Sequence, residues 1–299
     1  MSDQPVQIGR AALWMIGAIT SFSAMAIAGR EVSFALDTFE IMLYRSVVGV
    51  CVVAIVLTAT GQWHQVSRQR LGSHLIRNAA HFTGQNLWFF AVTAIPLAQV
   101  FALEFTSPLW VILISPFLLG ERLTRTRSLA ALGGFIGILI VARPSPETMN
   151  IGVLTAAASA VFFALTNIFT KRLTRVESTG SILLWLTTMQ LVMGFLAAGY
   201  DGDITLPDLT TLPWLILIGL AGLTAHFCLT NALAVAPATV VVPIDFTRLP
   251  LIAVLGMLLY NEPLDIWVFC GAIVIFAANY MNIMDAKQPK QARATCTAR

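Results

Sequence analysis

Residues 91–98 read A-V-T-A-I-P-L-A, and residues 232–239 read A-L-A-V-A-P-A-T, a displacement of 141. The same displacement carries Glu104-Phe105-Thr106 onto Asp245-Phe246-Thr247, and Gly120-Glu121-Arg122-Leu123 onto Asn261-Glu262-Pro263-Leu264. Upstream, Ile8-Gly9 and Ile151-Gly152 stand 143 apart. Alanine and leucine align easily by chance. A proline, an acid-Phe-Thr triplet and a glutamate holding one register from 91 to 123 do not. The chain therefore reads as two copies of one unit.

Composition says where those copies live. Apolar residues make up 57% of the chain and charged residues 11%, against about 45–50% and about 25% in soluble domains. So little charge cannot clothe a water-soluble surface, and the excess apolar area has to face lipid. Crossing the hydrocarbon core takes about 20 mostly apolar residues as a helix, because lipid offers the backbone no hydrogen-bond partner. Qualifying runs lie at 11–29, 39–59, 75–95, 98–119, 127–142, 151–170, 180–199, 212–235, 239–260 and 264–283. The expected fold class is an all-α polytopic membrane protein of ten transmembrane helices. The run beginning at Ala11 is longer than a signal-peptide core and is read as a retained first helix.

Ten spans in two copies leave five per copy, an odd number, so the second copy enters the membrane upside down. The expected units are 1–146 and 147–284, followed by a polar tail over 285–299. Inverted repeats of this kind mark secondary transporters, whose substrate site lies near the midplane between the repeats. Fourteen Lys and Arg fall on one side of the ten-span arrangement, including Arg77, and two, Arg30 and Arg143, on the other. The positive-inside rule then places both termini in the cytoplasm, as a multi-pass protein of the cell inner membrane. The four cysteines are far apart and form no C-x-x-C pair, so buried, inert thiols are expected.

Ionisable groups within spans are costly, about 2.5–3.5 kcal/mol each on insertion scales, and so face the protein interior or a wet cavity. Arg45, His81, Glu104, His226, Asp245 and Arg248 are such groups. Glu104 and Asp245 occupy equivalent places in the two copies, and Asp245 and Arg248 are spaced i, i+3 for pairing. Arg45 is the counter-ion expected for Glu104. His81, Gln85 and Trp88 share one helical face with Asn86 adjacent, and Asn231 follows His226 in the eighth span. These ten residues are the candidate substrate-binding set. The histidines can relay protons near neutral pH. Pro108, Pro116, Pro243 and Pro250 interrupt the fourth and ninth spans, where each removes a backbone hydrogen bond and can kink its helix. Gly133-x-x-x-Gly137 suits close helix packing within the chain.

The A-x-x-x-I-P-L-A pattern, Pro108, and G-E-R-L-T at 120–124, repeated with Pro237, Pro250 and Asn261-Glu262-Pro263-Leu264, resemble the EamA-type branch of the drug/metabolite transporter superfamily. The likeness covers residues 8–284. It implies a ten-helix carrier of small metabolites with a cavity lined by helices 1, 3, 4, 6, 8 and 9. Members handle amino acids, S-adenosylmethionine, riboflavin-like compounds, sugars or drugs. Ala102–Pro108 and Asp245–Pro250 look closest to the S-adenosylmethionine carrier subgroup.

Other classes lack their chemistry here. The sequence has no Ser-His constellation, no H-E-x-x-H and no paired Asp-rich motif for a membrane-embedded enzyme, and no G-x-x-x-x-G-K-[ST] for an ATP-driven pump. A channel rarely needs inverted repeats, and a sensor usually appends a soluble domain. The expectation is a non-enzymatic carrier without cofactor, metal or nucleic-acid partner, acting in the lipid bilayer as a monomer or homodimer. Its expected substrate is a small zwitterionic, amino-acid-like or S-adenosylmethionine-like metabolite, with hydrophobic or cationic drugs as the alternative. Direction and proton coupling are left open.

Overall fold

The computed structural model describes residues 8–119, 125–143, 145, 149–173, 176–200, 202–235, 241 and 244–287. The expectations at Gly120–Thr124, Pro237, Pro243, Cys296 and the tail beyond Lys287 lie outside these residues. Among the described residues the secondary structure is wholly helical. The helices are α1 (Ile8–Val32), α2 (Thr38–Ala59), α3 (Leu71–Ala94), α4 (Leu97–Glu104), α5 (Ser107–Leu119) and α6 (Arg125–Ala142). The second half contributes α7 (Ile151–Leu173), α8 (Thr179–Ala198), α9 (Leu212–Val235), α10 (Arg248–Tyr260) and α11 (Ile266–Lys287).

Among the described residues, six segments are long and apolar enough to cross a membrane: Ile8–Val32, Thr38–Ala59, Leu97–Ile114, Ile151–Thr170, Thr179–Ala198 and Leu212–Leu229. Shorter apolar helices cover Ser128–Ala142, Arg248–Tyr260 and Ile266–Met281. α3 has the length, but His74, Arg77, Asn78, His81, Gln85 and Asn86 are all buried along it. It is a polar stripe turned inward. Leu13, Ile55, Phe117, Leu196 and Ile273 point outward and stay exposed, as lipid-facing side chains do.

Helix ends follow local chemistry. Asp37 caps α2 in a reciprocal box, accepting from the Glu40 N–H at 2.8 Å while the Glu40 carboxylate accepts from Asp37 N–H at 2.9 Å. The other Glu40 oxygen accepts from the Thr205 N–H at 2.6 Å and ties α2 to the loop before α9. α10 ends where Asn261 takes a left-handed conformation, φ 53°, which asparagine tolerates.

The packing joins the two halves helix by helix. α1 lies on α9, α3 on α7, α2 on α8, α6 on α11, and α4 on α10. Exchanging the halves maps the first four of these pairs onto one another. The partners run antiparallel: Gly180 meets Leu57 and Gly194 meets Leu43 across α8 and α2. In α6, a Cβ at Gly137 would lie 3.0 Å from the Gly271 carbonyl oxygen of α11, and one at Gly133 would lie 3.5 Å from Ala278. The Gly-x-x-x-Gly pair thus serves packing within the chain.

Three expectations need correction. Cys228 is buried, but Cys51 and Cys270 are exposed, because they lie on outward helix faces. The fourth span is broken between α4 and α5 rather than kinked. Pro108 has no N–H to offer the Glu104 carbonyl, and proline is tolerated in a first helical turn, so the chain starts a new helix at Ser107. Arg30 and Arg77 are not loop charges: both are buried.

Candidate functional site

The two copies of the acid-Phe-Thr triplet meet at the helix breaks. Glu104 ends α4, Phe105 and Thr106 form the break, and Ser107 opens α5. In the other half Asp245 precedes the Phe246-Thr247 turn, and Arg248 opens α10. Each threonine hydroxyl donates back to a carbonyl three residues earlier, Thr106 to Leu103 at 2.6 Å and Thr247 to Ile244 at 2.7 Å. The Phe105 carbonyl accepts instead from the Asn279 amide of α11 at 2.9 Å. The equivalent rings Phe105 and Phe246 stack on each other, centroids 4.4 Å apart and planes inclined by 19°. Two symmetry-related residues in mutual contact must flank the pseudo-two-fold axis.

A cavity of about 210 Å³ opens beside this stack. Its lining includes Phe22 and Phe163, Met25 and Thr166, Gln85 and His226, Trp88 and Leu229, Glu104 and Asp245, and Ser107 and Arg248. Every one of these pairs is separated by 141 residues. The positions are symmetric, but Gln faces His, Trp faces Leu and Ser faces Arg. A ligand in such a cavity has one preferred orientation.

Arg248 holds the two acids. Its Nη2 lies 3.4 Å from Glu104 Oε1 and 3.4 Å from Asp245 Oδ2. Trp88 Nε1 donates to the other Glu104 oxygen at 2.8 Å. The guanidinium lies 4.7 Å from the centroid of the Phe22 ring, 4.9 Å from Phe101 and 5.0 Å from Phe105, a cation–π setting that replaces lost hydration. Asp245 Oδ1, Arg248 Nε and Ser107 Oγ are buried and make no hydrogen bond among the described residues. Three cavity-lining groups are thus left with hydrogen-bonding capacity for a ligand.

Seven of the ten sequence-derived candidates line this cavity: His81, Gln85, Trp88, Glu104, His226, Asp245 and Arg248. Arg45 stands behind it, its Nη1 bonded to Gln85 Oε1. The expected Arg45–Glu104 pairing is corrected: Arg248 lies nearer through the fold and takes both acids. Asn86 and Asn231 are not in the lining. Their amides donate to helix carbonyls one turn back, Phe82 and Phe227, each at 2.8 Å, because each is rotated off the cavity-facing side of its helix, Asn86 remaining buried between helices. His81 Nδ1 lies 2.7 Å from Gln190 Nε2, and the His81 and His226 rings are 6.1 Å apart.

Sequence reasoning missed a second polar centre, at the end of the bundle carrying the α3–α4 turn. Arg30 donates to the carbonyls of Val92 at 2.6 Å and Ile95 at 2.7 Å and pairs with Glu262. Glu262 also accepts from the Leu97 N–H at 2.9 Å, and Arg30 stacks over Tyr260. The glutamate was visible as a repeat marker. Its partner, 232 residues away, was not. Arg77 was missed similarly, and donates to Thr170 Oγ1 at 2.7 Å and Asn78 Oδ1 at 2.8 Å.

A multi-pass helical protein with broken helices meeting at a mixed-charge cavity has the build of a membrane transporter. The model of the EamA-like transporter family matches residues 9–143 and again 150–284. The chain belongs to that family and is a transporter, not an enzyme. It is 28% identical to a protein of Vibrio cholerae serotype O1 named riboflavin transporter, over 94% of this chain and 96% of that one. It is 25% identical to a protein of Rickettsia bellii named S-adenosylmethionine uptake transporter, over 92% of this chain and 94% of that one. A solved crystal structure, 21% identical, superposes with a TM-score of 0.63 over 93% of this chain and 99% of that one. That likeness concerns the fold.

Proposed function

We propose that the protein is a secondary carrier of a small zwitterionic metabolite, amino-acid-like or S-adenosylmethionine-like, working by alternating access around the central cavity. In this reading ten helices form two inverted repeats, residues 1–146 and 147–284, with the tail 285–299 and the N-terminus in the cytoplasm and the body in the inner membrane. The observation that carries the substrate class is the unequal charge count at the helix breaks. Two carboxylates, Glu104 and Asp245, share the single guanidinium of Arg248. Buried charges persist when paired, so the surplus carboxylate suits a cationic group on the ligand. The apolar part of such a ligand rests against Phe22, Phe105 and Phe163 in the same cavity. Relatives named for S-adenosylmethionine uptake agree with this chemistry.

A second reading, a flat neutral flavin, is favoured by the aromatic wall and by relatives named riboflavin transporter. Uptake of labelled S-adenosylmethionine and of riboflavin into proteoliposomes, with and without a pH gradient, separates the two. Saturable uptake of S-adenosylmethionine supports the zwitterion reading. Uptake of riboflavin alone replaces it with the flavin reading, and uptake of hydrophobic cations alone makes the protein a drug exporter.

A further inference from the structure

Arg45 is a buried guanidinium, only 8% exposed, and no acidic side chain pairs with it among the described residues. Its hydrogen-bond partners are neutral: Gln85 Oε1, and Met42 Sδ at 3.5 Å. Removing a cation from water and giving it only an amide for company is costly. The arrangement is nonetheless built rather than accidental. The head group lies in a small chamber of about 20 Å³ walled in part by Gly49, Gly219 and Gly222. A Cβ at Gly222 would sit 3.1 Å from Arg45 Nη2, so the glycine makes room for the guanidinium. The chamber adjoins the substrate cavity, since His226 lines both. Gln85, the acceptor for Arg45, also lines the cavity.

We propose that Arg45 forms an anion subsite for the carboxylate of the transported metabolite. In the empty carrier the Gln85 carbonyl stands in for that carboxylate. When substrate binds, its carboxylate displaces the Gln85 oxygen and pairs with Arg45, while its cationic end meets the Glu104–Asp245 acids. The two ends of the zwitterion are thus read by opposite charges on two different sets of helices, α2 and α3 for the anion and the two helix breaks for the cation. A carboxylate adds to the guanidinium a Coulomb attraction that the neutral Gln85 amide lacks, and a dry site strengthens it, so the exchange favours a carboxylate over an uncharged group. This inference rests on the zwitterion reading of the cavity.

The test is thermal stabilisation of the purified protein by three probes: S-adenosylmethionine, decarboxylated S-adenosylmethionine, which lacks only the carboxylate, and riboflavin. Wild type is expected to bind the carboxylate-bearing probe at least about tenfold more tightly than the decarboxylated one. Gln85→Glu supplies a permanent internal carboxylate for Arg45. It should raise the melting temperature of the unliganded protein and abolish the preference between the two probes. Arg45→Gln should abolish the preference as well, with a melting temperature no lower than wild type, because it removes an unpaired buried charge. Equal binding of the two probes to wild type overturns the anion subsite while leaving the zwitterion reading in place. Stabilisation by riboflavin alone overturns both. Chloride protection that is lost in Arg45→Gln, together with equal binding of the two probes, identifies a halide site and overturns the substrate role. A drop in melting temperature in Arg45→Gln with the preference retained makes Arg45 structural.

Discussion

Arg248 serves two carboxylates at 3.4 Å each, and neither contact is a close ion pair. Long contacts in a buried site leave both acids open to competition, unlike the clasp of Arg30 with Glu262. Neutralising either acid removes one member of the set that a substrate cation would meet. Glu104→Gln and Asp245→Asn are each expected to lower transport by at least about tenfold without lowering the amount of protein in the membrane. Proteoliposome uptake normalised to protein level checks this, and wild-type rates in both variants would remove the acids from the mechanism. Trp88→Phe keeps an aromatic ring, smaller than the indole, but deletes the donor to Glu104. The expected outcome is weaker substrate binding by about tenfold, read from the concentration dependence of uptake, with the fold intact.

The broken helices set the element scale. A helix that ends in the bundle interior leaves carbonyls unpaired, and here the Asn279 amide supplies the donor for the Phe105 carbonyl, while Thr106 and Thr247 pin the Leu103 and Ile244 carbonyls with both backbone N–H and hydroxyl. Asn279→Leu leaves the Phe105 carbonyl buried without its partner and should cost about 1–3 kcal/mol, measured by denaturant or thermal unfolding in detergent. The glycine contacts between α6 and α11 belong to the same scale. At Gly137 even a methyl group would approach a carbonyl oxygen to 3.0 Å. Gly137→Leu is expected to separate these helices and lower the melting temperature, whereas the exposed neighbour Ile136 should tolerate leucine. The symmetric acids and the Pro96–Pro237 pair were legible in the sequence because they recur in register. The break itself was not, since a proline permits either a kink or a fresh start, and neighbouring donors decide which.

At the scale of the molecule, a buried clasp joins the halves at one end of the bundle. Arg30 reaches the α3–α4 turn and Glu262, and Glu262 reaches back to Leu97. Glu262→Ala leaves a buried cation uncompensated and should destabilise the protein by about 3–5 kcal/mol. Exchanging the charges, Arg30→Glu with Glu262→Arg, should recover only part of this, because the backbone contacts of Arg30 are directional. The proposed topology makes its own prediction. A cytoplasmic reporter fused after Arg299 should be active and a periplasmic one silent. The reverse result would overturn the ten-span arrangement.

Read alone, the chain determined its membrane character, the twofold internal repeat, the equivalence of Glu104 and Asp245, and the inward face of α3. Composition, periodicity and register are properties of short windows or of one repeated interval, and they survive without coordinates. The tertiary structure decided how the charges are partnered. It gave Glu104 to Arg248 rather than Arg45, buried Arg30 against a glutamate 232 residues away, and turned Asn86 and Asn231 out of the cavity. It also brought Phe105 onto Phe246. Charge pairing in a low-dielectric interior depends steeply on distance, and distance between residues a hundred or more apart in the chain exists only once the helices have packed.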